Sequence, residues 1–317
     1  MHKTFLYCTD DNYAVHATVS IFSLLISTSS RSFDICIIGD NLSEKKVSDL
    51  SRLGEVFQIK INIIEGADYC EKYINFLGTS ELMSAHITRA TLLRLAFHKM
   101  LPAEYEKIIY IDVDTIIRGD LSCLFDVCLD DEIIAAAADL IIGKRFKDEF
   151  SRFEYFNAGV MVIDRVAWEQ HGVDESLVEI MSRESALELT YADQDILNIY
   201  FNDSGYKKLD CRYNYQFMMA IDHVKHSPGV LLGEAKIIHY AGQVKPWHLW
   251  ASEEYASFYC SFRKIIPWLE SYSPEAPTNT KQLQVAAKTL LAQGRFEESA
   301  IYSQKMLSIL KSRKNRH

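Results

Sequence analysis

Two carboxylates stand at the end of the most apolar segment of the sequence. Ile108-Ile-Tyr-Ile111 is followed at once by Asp112-Val-Asp114, and two acids one residue apart point the same way if the chain stays extended. Oxygen ligands in this spacing suit a hard divalent cation and leave room for a diphosphate. The alternative is a solvated acidic turn after a strand, and so short a motif does not decide between the two.

A different chemistry fits the same residues. Asp112-Val-Asp-Thr-Ile116 after an apolar strand is similar to the opening motif of haloacid-dehalogenase-type phosphatases, whose first Asp accepts a phosphoryl group. That family carries the motif on its first strand, whereas several predicted strands precede Asp112 here. The sequence also shows no convincing later acidic cluster paired with a Lys and a Ser or Thr at a strand end. Phosphoryl transfer is therefore the weaker interpretation.

The segments around the motif alternate between strand and helix patterns, read from apolar runs and from 3.6-residue apolar spacing. Strands are predicted at Thr4–Cys8, Phe33–Ile38, Val56–Ile64, Lys107–Ile111, Ile133–Ala138, Val160–Ile163 and Ile237-Ile238. Helices are predicted at Ala14–Ser27, Glu44–Leu53, His86–Lys99 and Asp193–Tyr200. This alternation predicts an α/β fold with a mainly parallel central sheet, covered by helices on both faces.

Polar residues follow several of these strands at their carboxyl ends. Asp112 and Asp114 follow one strand, Asp139 follows another, and His239 follows a third. In open α/β sheets, ligands bind at this edge. We therefore expect the functional residues to lie around one edge of the sheet.

The composition changes after Pro274. Gln282–Ala292 and Phe296–Leu310 have amphipathic spacing and are joined around Gly294, in a stretch that resembles one tetratricopeptide hairpin. A single such unit cannot bury its own core. We therefore predict a main domain at 1–273 and a C-terminal helical hairpin at 274–317 that docks on it.

The hairpin ends in a basic tail. Between 274 and 317 there are eight Lys or Arg against three Asp or Glu. Lys311, Arg313, Lys314 and Arg316 follow an amphipathic helix, which suits weak attraction to an anionic membrane surface. A frayed, solvated terminus is the alternative.

The bulk composition excludes some classes of protein. Hydrophobic residues make up 48% and charged residues 24% of the 317 residues, as in ordinary globular proteins. The net charge of −9 argues against a nucleic-acid binder. Seven cysteines, an odd number without CxxC spacing, predict neither a disulfide framework nor a zinc site. With no apolar signal region before Asp10-Asp11 and no run long enough to span a bilayer, we expect a cytoplasmic protein, soluble or peripheral at the inner face of the membrane.

Six short motifs are distributed along the first 250 residues. They are Cys8-Thr-Asp10-Asp-Asn12-Tyr13, Arg94 in Leu-Leu-Arg-Leu, Tyr110-Ile-Asp112-Val-Asp114, Phe156-Asn157-Ala-Gly159-Val, Ala192-Asp193-Gln194-Asp195-Ile-Leu-Asn198 and His239-Tyr-Ala-Gly242-Gln-Val-Lys245-Pro-Trp247. Together they resemble glycosyltransferase family 8, in particular its bacterial lipopolysaccharide galactosyl- and glucosyltransferases. The resemblance runs from about Lys3 to Trp250. Six motifs in family order are far more specific than any one of them.

The resemblance implies a GT-A-type nucleotide-binding fold, a UDP-hexose donor and a metal ion. Asp112, Asp114 and His239 would bind the metal, and the imidazole favours Mn²⁺, with Mg²⁺ as the alternative. For His239 without the motif, a packed or capping role would be the ordinary interpretation. Lys245 follows His239 at the family spacing and would contact the diphosphate as a point charge.

The remaining family positions would bind the nucleotide sugar. They are Cys8, Asp10, Asn12, His86, Arg94, Asp139, Asn157 and Gly242, together with Lys245. Other roles stay open for some of them, since Asp10 and Asn12 also suit a polar turn and Arg94 also suits a buried salt bridge. The nearby aromatics Tyr213, Tyr215, Phe217 and Trp247 suit either an acceptor platform or ordinary core packing.

Asp193 and Gln194 would lie beside the reacting carbon of the hexose as catalytic residues. Polar side chains there can stabilise developing oxocarbenium charge. For Asp195, a first-turn position favoured by the helix dipole is the preferred interpretation. Gln194 is a poor nucleophile, so we expect the acceptor to attack on the face from which UDP departs.

The expected activity is retaining transfer of galactose or glucose from a UDP-sugar to a glycan acceptor, either lipopolysaccharide or another cell-surface polysaccharide. The metal would neutralise the departing UDP. A binding module without turnover is the non-enzymatic alternative, and the full set of metal-facing and sugar-facing residues argues against it.

Overall fold

The computed structural model describes residues 2–69, 89–143, 154–183, 192–221 and 223–314. They form two compact units, Met1–Tyr215 with Pro228–His239, and Gln216–Ser227 with Tyr240–His317. The strands are β1 (His2–Asp10), β2 (Asp34–Asp40), β3 (Ile61–Glu65), β4 (Tyr105–Ile111), β5 (Thr115–Ile117), β6 (Ile134–Ala138), β7 (Phe156–Asp164), β8 (Lys207–Lys208), β9 (Tyr215–Met219), β10 (Val224–His226) and β11 (Ile237–His239). The α-helices are α1 (Ala14–Ser27), α2 (Glu44–Phe57), α3 (Arg89–Met100), α4 (Arg165–Gln170), α5 (Val173–Arg183), α6 (Ala192–Ser204), α7 (Glu253–Lys264), α8 (Thr280–Ala292) and α9 (Phe296–Lys314).

A seven-stranded sheet in the order β3-β2-β1-β4-β7-β6-β8 forms the centre of the first unit. Strands β1 to β4 run parallel, and β7 runs antiparallel between β4 and β6. The carboxyl ends of β1, β4 and β6 and the amino end of β7 therefore meet at one edge. This confirms the predicted α/β fold with a mainly parallel sheet, and it brings the chain around Asp112, Asp139 and Asn157 to that edge.

The parallel central strands of the sheet have apolar residues that are buried on both faces. In β1, Phe5, Leu6 and Tyr7 have no exposed surface, and in β4 Ile108, Ile109 and Ile111 have none. Such continuous apolar runs, unlike alternating ones, suit a strand covered by helices on both sides. The edge of the sheet is therefore the place where this unit presents polar groups.

Helix α1 fixes strand β5, which follows the two acids of the motif. Ser20 Oγ lies 2.7 Å from Thr115 Oγ1, Ser23 Oγ accepts a hydrogen bond of 2.9 Å from Ile117 N, and Ser27 Oγ donates one of 3.0 Å to Ile117 O. Strand β5 also pairs antiparallel with β11, with Thr115 opposite His239. The short strand is thus held between a buried helix and β11.

The strand predicted at Val56–Ile64 was wrong over its first five residues. Helix α2 continues to Phe57, and β3 begins only at Ile61. Leu50 and Leu53 are buried, and the Phe57 ring packs on Phe22 of α1 at a centroid distance of 5.4 Å. The helical apolar spacing therefore extends through residue 57, and Gln58 ends the helix in the left-handed region at φ 53°.

Helices α8 and α9 form the C-terminal helical hairpin that the sequence predicts. They are joined through Gly294, whose φ of 75° favours glycine. Ser299 Oγ of α9 donates a hydrogen bond of 2.7 Å to Ala287 O of α8. Within the second unit, Gln293 Nε2 at the hairpin bend donates one of 3.0 Å to Trp250 O. The domain boundary between residues 273 and 274 stays a prediction.

A buried carboxylate joins α5 to α3. Asp174 is 2% exposed, forms an ion pair with Lys99, and lies 3.4 Å through Oδ1 from His98 Nε2. Burial acts to raise the pKa of Asp174, but its hydrogen bonds with Glu175 and Lys99 and the nearby positive charge outweigh it, so the net pKa lies below its ordinary value. This ion pair helps to hold the helix that carries Arg94.

We predict that Asp174→Asn lowers the free energy of unfolding at neutral pH by about 1–3 kcal/mol. Because the folded pKa lies below the unfolded one, the stability is present above the unfolded pKa of about 3.9 and is lost as the pH falls through the folded value. The variant should therefore lose less stability in acid than the wild type. Denaturant unfolding across pH measures both effects. The control is Asp131→Asn, which removes an exposed acid that has no contact with this pair. A variant whose stability falls with decreasing pH in parallel with that of the wild type would contradict the prediction.

Candidate active site

The two acids of the motif lie on a turn, not on an extended strand. The chain leaves β4 at Ile111 and enters β5 at Thr115. Thr115 Oγ1 donates a hydrogen bond of 2.8 Å to Asp112 O, which closes the turn, and Asp112 N donates one of 2.8 Å to Gly159 O. The extended geometry assumed from the sequence was therefore wrong, and the turn is what brings both carboxylates together.

His239 meets these acids from the end of β11. Its Nε2 lies 3.3 Å from Asp114 Oδ1 and 3.8 Å from Asp112 Oδ2. The ligand atoms of the three residues all lie within 4.8 Å of one another. Two carboxylate oxygens and one imidazole nitrogen in this arrangement can share a divalent cation.

Gly159 of β7, which has no side chain, keeps the space beside these ligands free. A Cβ atom on Gly159 would lie 2.3 Å from His239 Cε1 and 2.9 Å from Asp112 Oδ2, closer than side chains pack. The ligand types and the space kept free of a side chain both fit a divalent cation. The imidazole favours Mn²⁺ over Mg²⁺, which prefers oxygen ligands alone.

Arg94 of α3 is buried and contacts two of the acids. Its Nη1 donates hydrogen bonds of 3.2 Å to Asp112 Oδ1 and 3.2 Å to Ala158 O, and its Nη2 forms an ion pair with Asp193. Arg94 therefore connects the acidic turn with the first turn of α6. These are the contacts of a buried salt bridge, the role that the sequence left open for Arg94 beside binding of the nucleotide sugar.

Tyr110 supports the same carboxylate. Its hydroxyl donates a hydrogen bond of 2.6 Å to Asp112 Oδ1. Burial, followed by the charge of Asp112, raises the pKa of Tyr110 well above its ordinary value. The phenol therefore keeps its proton and remains a donor to Asp112.

Three further predicted residues lie together beside β7. Asp139 Oδ2 accepts hydrogen bonds of 3.1 Å from Asn157 Nδ2 and 3.3 Å from Gln194 Nε2. Gln194 Oε1 accepts one of 3.2 Å from Ala158 N. Asp195 is placed differently, since its Oδ1 accepts a hydrogen bond of 2.5 Å from Tyr155. The start of α6 is thus bound to β7 directly, by the hydrogen bond from Ala158 N to Gln194, and indirectly through Asp139, which accepts from Gln194 and Asn157.

The predicted residues near the N-terminus lie at and after the carboxyl end of β1. Cys8 is buried within the strand. Asp10 Oδ1 accepts a hydrogen bond of 2.8 Å from Tyr13 N immediately before α1, and Asn12 is exposed in the intervening turn. The polar-turn interpretation of Asp10 therefore holds, and it is compatible with contact to a ligand.

The last three predicted residues are His86, Gly242 and Lys245. His86 lies outside the described residues. Gly242, at φ 98°, belongs to the second unit, where an added Cβ would lie 3.0 Å from Met218 Cγ. Lys245 belongs to the same unit, and its Nζ donates a hydrogen bond of 2.9 Å to Tyr240 O.

The aromatic residues considered for an acceptor platform belong largely to the core. Tyr215, Phe217 and Trp247 are buried. Phe217 packs on Tyr255 at a centroid distance of 5.0 Å. Their packing corresponds to the ordinary interpretation, in which large aromatics contribute buried area. Tyr213 is half-buried, with its hydroxyl 3.1 Å from Cys123 Sγ.

Two asparagines in this region were given no role by sequence reasoning, although Asn198 ends one of the six motifs and only Asn214 lies outside them. Asn198 Nδ2 donates hydrogen bonds of 2.8 Å to Gln194 O and 2.9 Å to Phe156 O, and its position four residues after Gln194 on a helix could have indicated this. Asn214 Oδ1 lies 2.9 Å from His239 Nδ1. Asn214 ends a short 3-10 turn at Cys211–Asn214, and no periodicity in the sequence marks it.

Comparison with known proteins gives one family. Residues 4–251 match the model of glycosyl transferase family 8. A lipopolysaccharide 1,2-glucosyltransferase of Escherichia coli is 28% identical over 270 residues, which cover 82% of this chain and 77% of that protein. A lipopolysaccharide 1,3-galactosyltransferase of Salmonella typhimurium is 23% identical over 306 residues, which cover 93% of this chain and 88% of that protein.

A solved structure shares the fold. The crystal structure of the galactosyltransferase LgtC in complex with donor and acceptor sugar analogs has a TM-score of 0.66 and is 24% identical, covering 81% of this chain and 95% of that one. This likeness confirms the predicted GT-A-type fold. Among the described residues, no helix combines the length and apolar character needed to span a membrane.

Proposed function

Because the chain belongs to glycosyltransferase family 8, we propose that it transfers galactose or glucose from a UDP-sugar to a glycan acceptor, with retention of configuration and with Mn²⁺ as cofactor. The observation that carries the proposal is the convergence of Asp112, Asp114 and His239, whose ligand atoms lie within 4.8 Å of one another. Mg²⁺ is the alternative ion.

The chain's own residues have separate roles in this proposal. When bound, a divalent ion would neutralise the departing diphosphate. Asp112, Asp114 and His239 would hold it, and Arg94 and Tyr110 keep Asp112 in place through the hydrogen bonds described above. The residues proposed to bind the nucleotide and its phosphates are Cys8, Asp10, Asn12, His86, Gly242 and Lys245.

The hexose is proposed to lie against Asp139, Asn157, Asp193 and Gln194. Asp193 is ion-paired with Arg94, which disfavours its use as a nucleophile because its charge is already compensated. Gln194 cannot form a stable ester with the sugar. We therefore favour attack by the acceptor on the face from which UDP departs, with the Gln194 amide supporting positive charge at the anomeric carbon.

A panel of UDP-sugars, assayed for donor hydrolysis with Mn²⁺ present, tests the proposal and identifies the hexose. Proton NMR of the transfer product gives the anomer, and we expect the α linkage of the donor to be kept. A β linkage would contradict retention, and a trapped glycosyl–Asp193 adduct would contradict front-face attack. Consumption of a phosphomonoester instead of UDP-sugar would indicate a phosphatase, and donor binding without turnover would indicate a binding module.

We predict that Gln194→Ala lowers turnover by about 30- to 1,000-fold without abolishing it, the range for about 2–4 kcal/mol from one transition-state contact. Single-turnover rates with saturating UDP-sugar measure this effect apart from donor affinity. The matched control is Gln304→Ala on the exposed surface of α9, which should leave the rate unchanged. A Gln194→Ala rate within twofold of wild type, about 0.4 kcal/mol, would remove Gln194 from the mechanism.

The acceptor is proposed to be lipopolysaccharide or another cell-surface polysaccharide, because two of the relatives are lipopolysaccharide hexosyltransferases. The protein would then act in the cytoplasm, peripheral at the inner face of the membrane. Leu307 and Leu310 of α9 are about half exposed, and the basic residues Lys311, Arg313, Lys314 and Arg316 follow them. Apolar and basic groups together suit an anionic lipid surface.

We predict that deleting the residues after Leu310 weakens binding to vesicles of anionic lipid at low salt, at about 1 kcal/mol for each basic residue near the surface. Hydrolysis of free UDP-sugar should be spared, because the deletion is remote in sequence from every proposed site residue. Vesicle co-sedimentation measures the first effect, with zwitterionic vesicles as the control. Unchanged affinity for anionic vesicles would remove the membrane interpretation.

A further inference from the structure

The His239 ring is contacted on both of its nitrogens by residues of the first unit. Nε2 faces Asp114 and Asp112, and Nδ1 lies 2.9 Å from Asn214 Oδ1. A neutral imidazole carries its proton on one nitrogen only and can bind a metal only through the other. The group that decides where this proton lies therefore decides whether Nε2 can be a ligand.

The directions of the hydrogen bonds around Asn157 are determined by two neighbours, one of which can only accept and the other only donate. The Asp139 carboxylate accepts, so the Asn157 group 3.1 Å from it is the donor Nδ2. At its other end, Asn157 faces the backbone N–H of Gly159 at 3.0 Å, which can only donate, so this end is Oδ1. Both ends give the same orientation of the Asn157 amide.

Asn157 in turn fixes the orientation of Asn214. It presents two acceptors to Asn214, its backbone oxygen at 3.2 Å and Oδ1 at 2.9 Å. The Asn214 group that faces them must donate and is therefore Nδ2. Its oxygen is left to face His239, and since an amide oxygen only accepts, the proton of the imidazole lies on Nδ1.

We propose that Asn214 is a positioning residue that fixes His239 in the Nδ1–H tautomer, through an amide chain that begins at Asp139 and passes through Asn157, so that Nε2 presents its lone pair to the ion. Asn214 is 1% exposed, so water does not replace this acceptor readily. Groups that accept the N–H on the ring nitrogen not bound to the metal fix the tautomer of a ligating histidine and raise its basicity. The inference rests on the proposed function in assuming that His239 binds the ion, and it gives a role to Asn214, which lies outside the six sequence motifs.

The test measures Mn²⁺ binding rather than turnover. Asn214→Leu, which removes the acceptor but keeps the volume, should raise the Kd for Mn²⁺ by about 10- to 100-fold, measured from the electron paramagnetic resonance signal of free Mn²⁺. Pulsed electron paramagnetic resonance of bound Mn²⁺ should show hyperfine coupling to the imidazole nitrogen in the wild type. This coupling should weaken in Asn214→Leu. Asn198→Leu is the matched control, because Asn198 is also buried but its side-chain amide donates to Phe156 O and Gln194 O. It should keep both the affinity and the coupling.

A second variant separates positioning from general destabilisation. Asn214→Asp keeps an acceptor for His239 but turns a carboxylate oxygen toward the two acceptors of Asn157. We expect its Mn²⁺ affinity to stay within about tenfold of wild type, while its thermal stability falls at least as far as that of Asn214→Leu. If Asn214 had a purely structural role, the variant with the lower thermal stability would also have the lower Mn²⁺ affinity.

The failures are distinguishable. Wild-type protein whose bound Mn²⁺ shows no coupling to nitrogen would overturn the metal site of the proposed function, and the inference with it. Wild-type coupling that is unchanged in Asn214→Leu, at unchanged affinity, would overturn the inference alone. An equal loss in Asn198→Leu would overturn it too, since any buried asparagine would then have the same effect. If Asn214→Asp does not fold, the comparison of the two leucine variants decides.

Discussion

Asp114→Asn is expected to lower turnover by about 100- to 1,000-fold, equivalent to about 3–4 kcal/mol of transition-state stabilisation. The substitution keeps the shape of the side chain but removes a charge from the cluster that would bind the ion, 3.3 Å from His239 Nε2. Steady-state rates with UDP-sugar, with and without excess chelator, measure the effect. Wild-type activity should be lost in chelator and restored by Mn²⁺.

The control for this prediction is a second Asp→Asn change on the surface. Asp126 is exposed and lies 3.5 Å from Lys3 Nζ, and exposed pairs contribute little to stability. Asp126→Asn should have wild-type rates. Both variants should show the circular dichroism of the wild type, so that a loss of rate reports the site and not the fold. Full wild-type activity in excess chelator would contradict the metal requirement.

Gly159→Ala is expected to lower turnover by at least about 100-fold, because the new methyl group would displace a metal ligand and misplacements of about 1 Å cost this much. The Cβ would lie 2.3 Å from His239 Cε1 and 2.7 Å from Nδ1. The ring cannot move away freely, since it is buried and Asn214 contacts its Nδ1. Rates and Mn²⁺ affinity measured together should both fall.

Gly233→Ala is the matched control, because a Cβ there would meet no atom within 4 Å and the backbone is not left-handed. It should behave as the wild type in rate, Mn²⁺ affinity and thermal unfolding. A Gly159→Ala protein with the Mn²⁺ affinity of the wild type would show that His239 has room to move. The space beside the ligands would then not be needed.

The sequence predicted the elements with strong periodicity better than the short ones. Helix α1 has the bounds Ala14–Ser27 that were expected, because one side of it is apolar throughout. Strand β5 has only three residues, too few for any periodic signal, and it was not predicted. Its existence depends on α1 and β11, which are far from it in the chain.

For the candidate site, too, one part could be predicted from the sequence and another could not. The types and order of its residues could be read from the sequence because the motifs resemble a family. The contacts could not be read, since Arg94, Asp112 and Asp193 meet only through the packing of α3 and α6 against the sheet. Asn214 shows the limit most clearly, because its role depends on the direction of each hydrogen bond in a chain of amides.

The pairing of β5 with β11 has a consequence for the order in which this protein can mature. Thr115 and His239 are opposite each other in this pair, although about half of the first unit lies between them in the chain. Closing so long a loop is slow, because the chain loses conformational entropy before the contacts between the two strands can stabilise it. A nascent chain therefore has no complete ligand set until β11 has been synthesised and paired. Because the ion would bind only the folded protein, free Mn²⁺ at a hundred times its Kd would add about 2.7 kcal/mol to the stability of the native state.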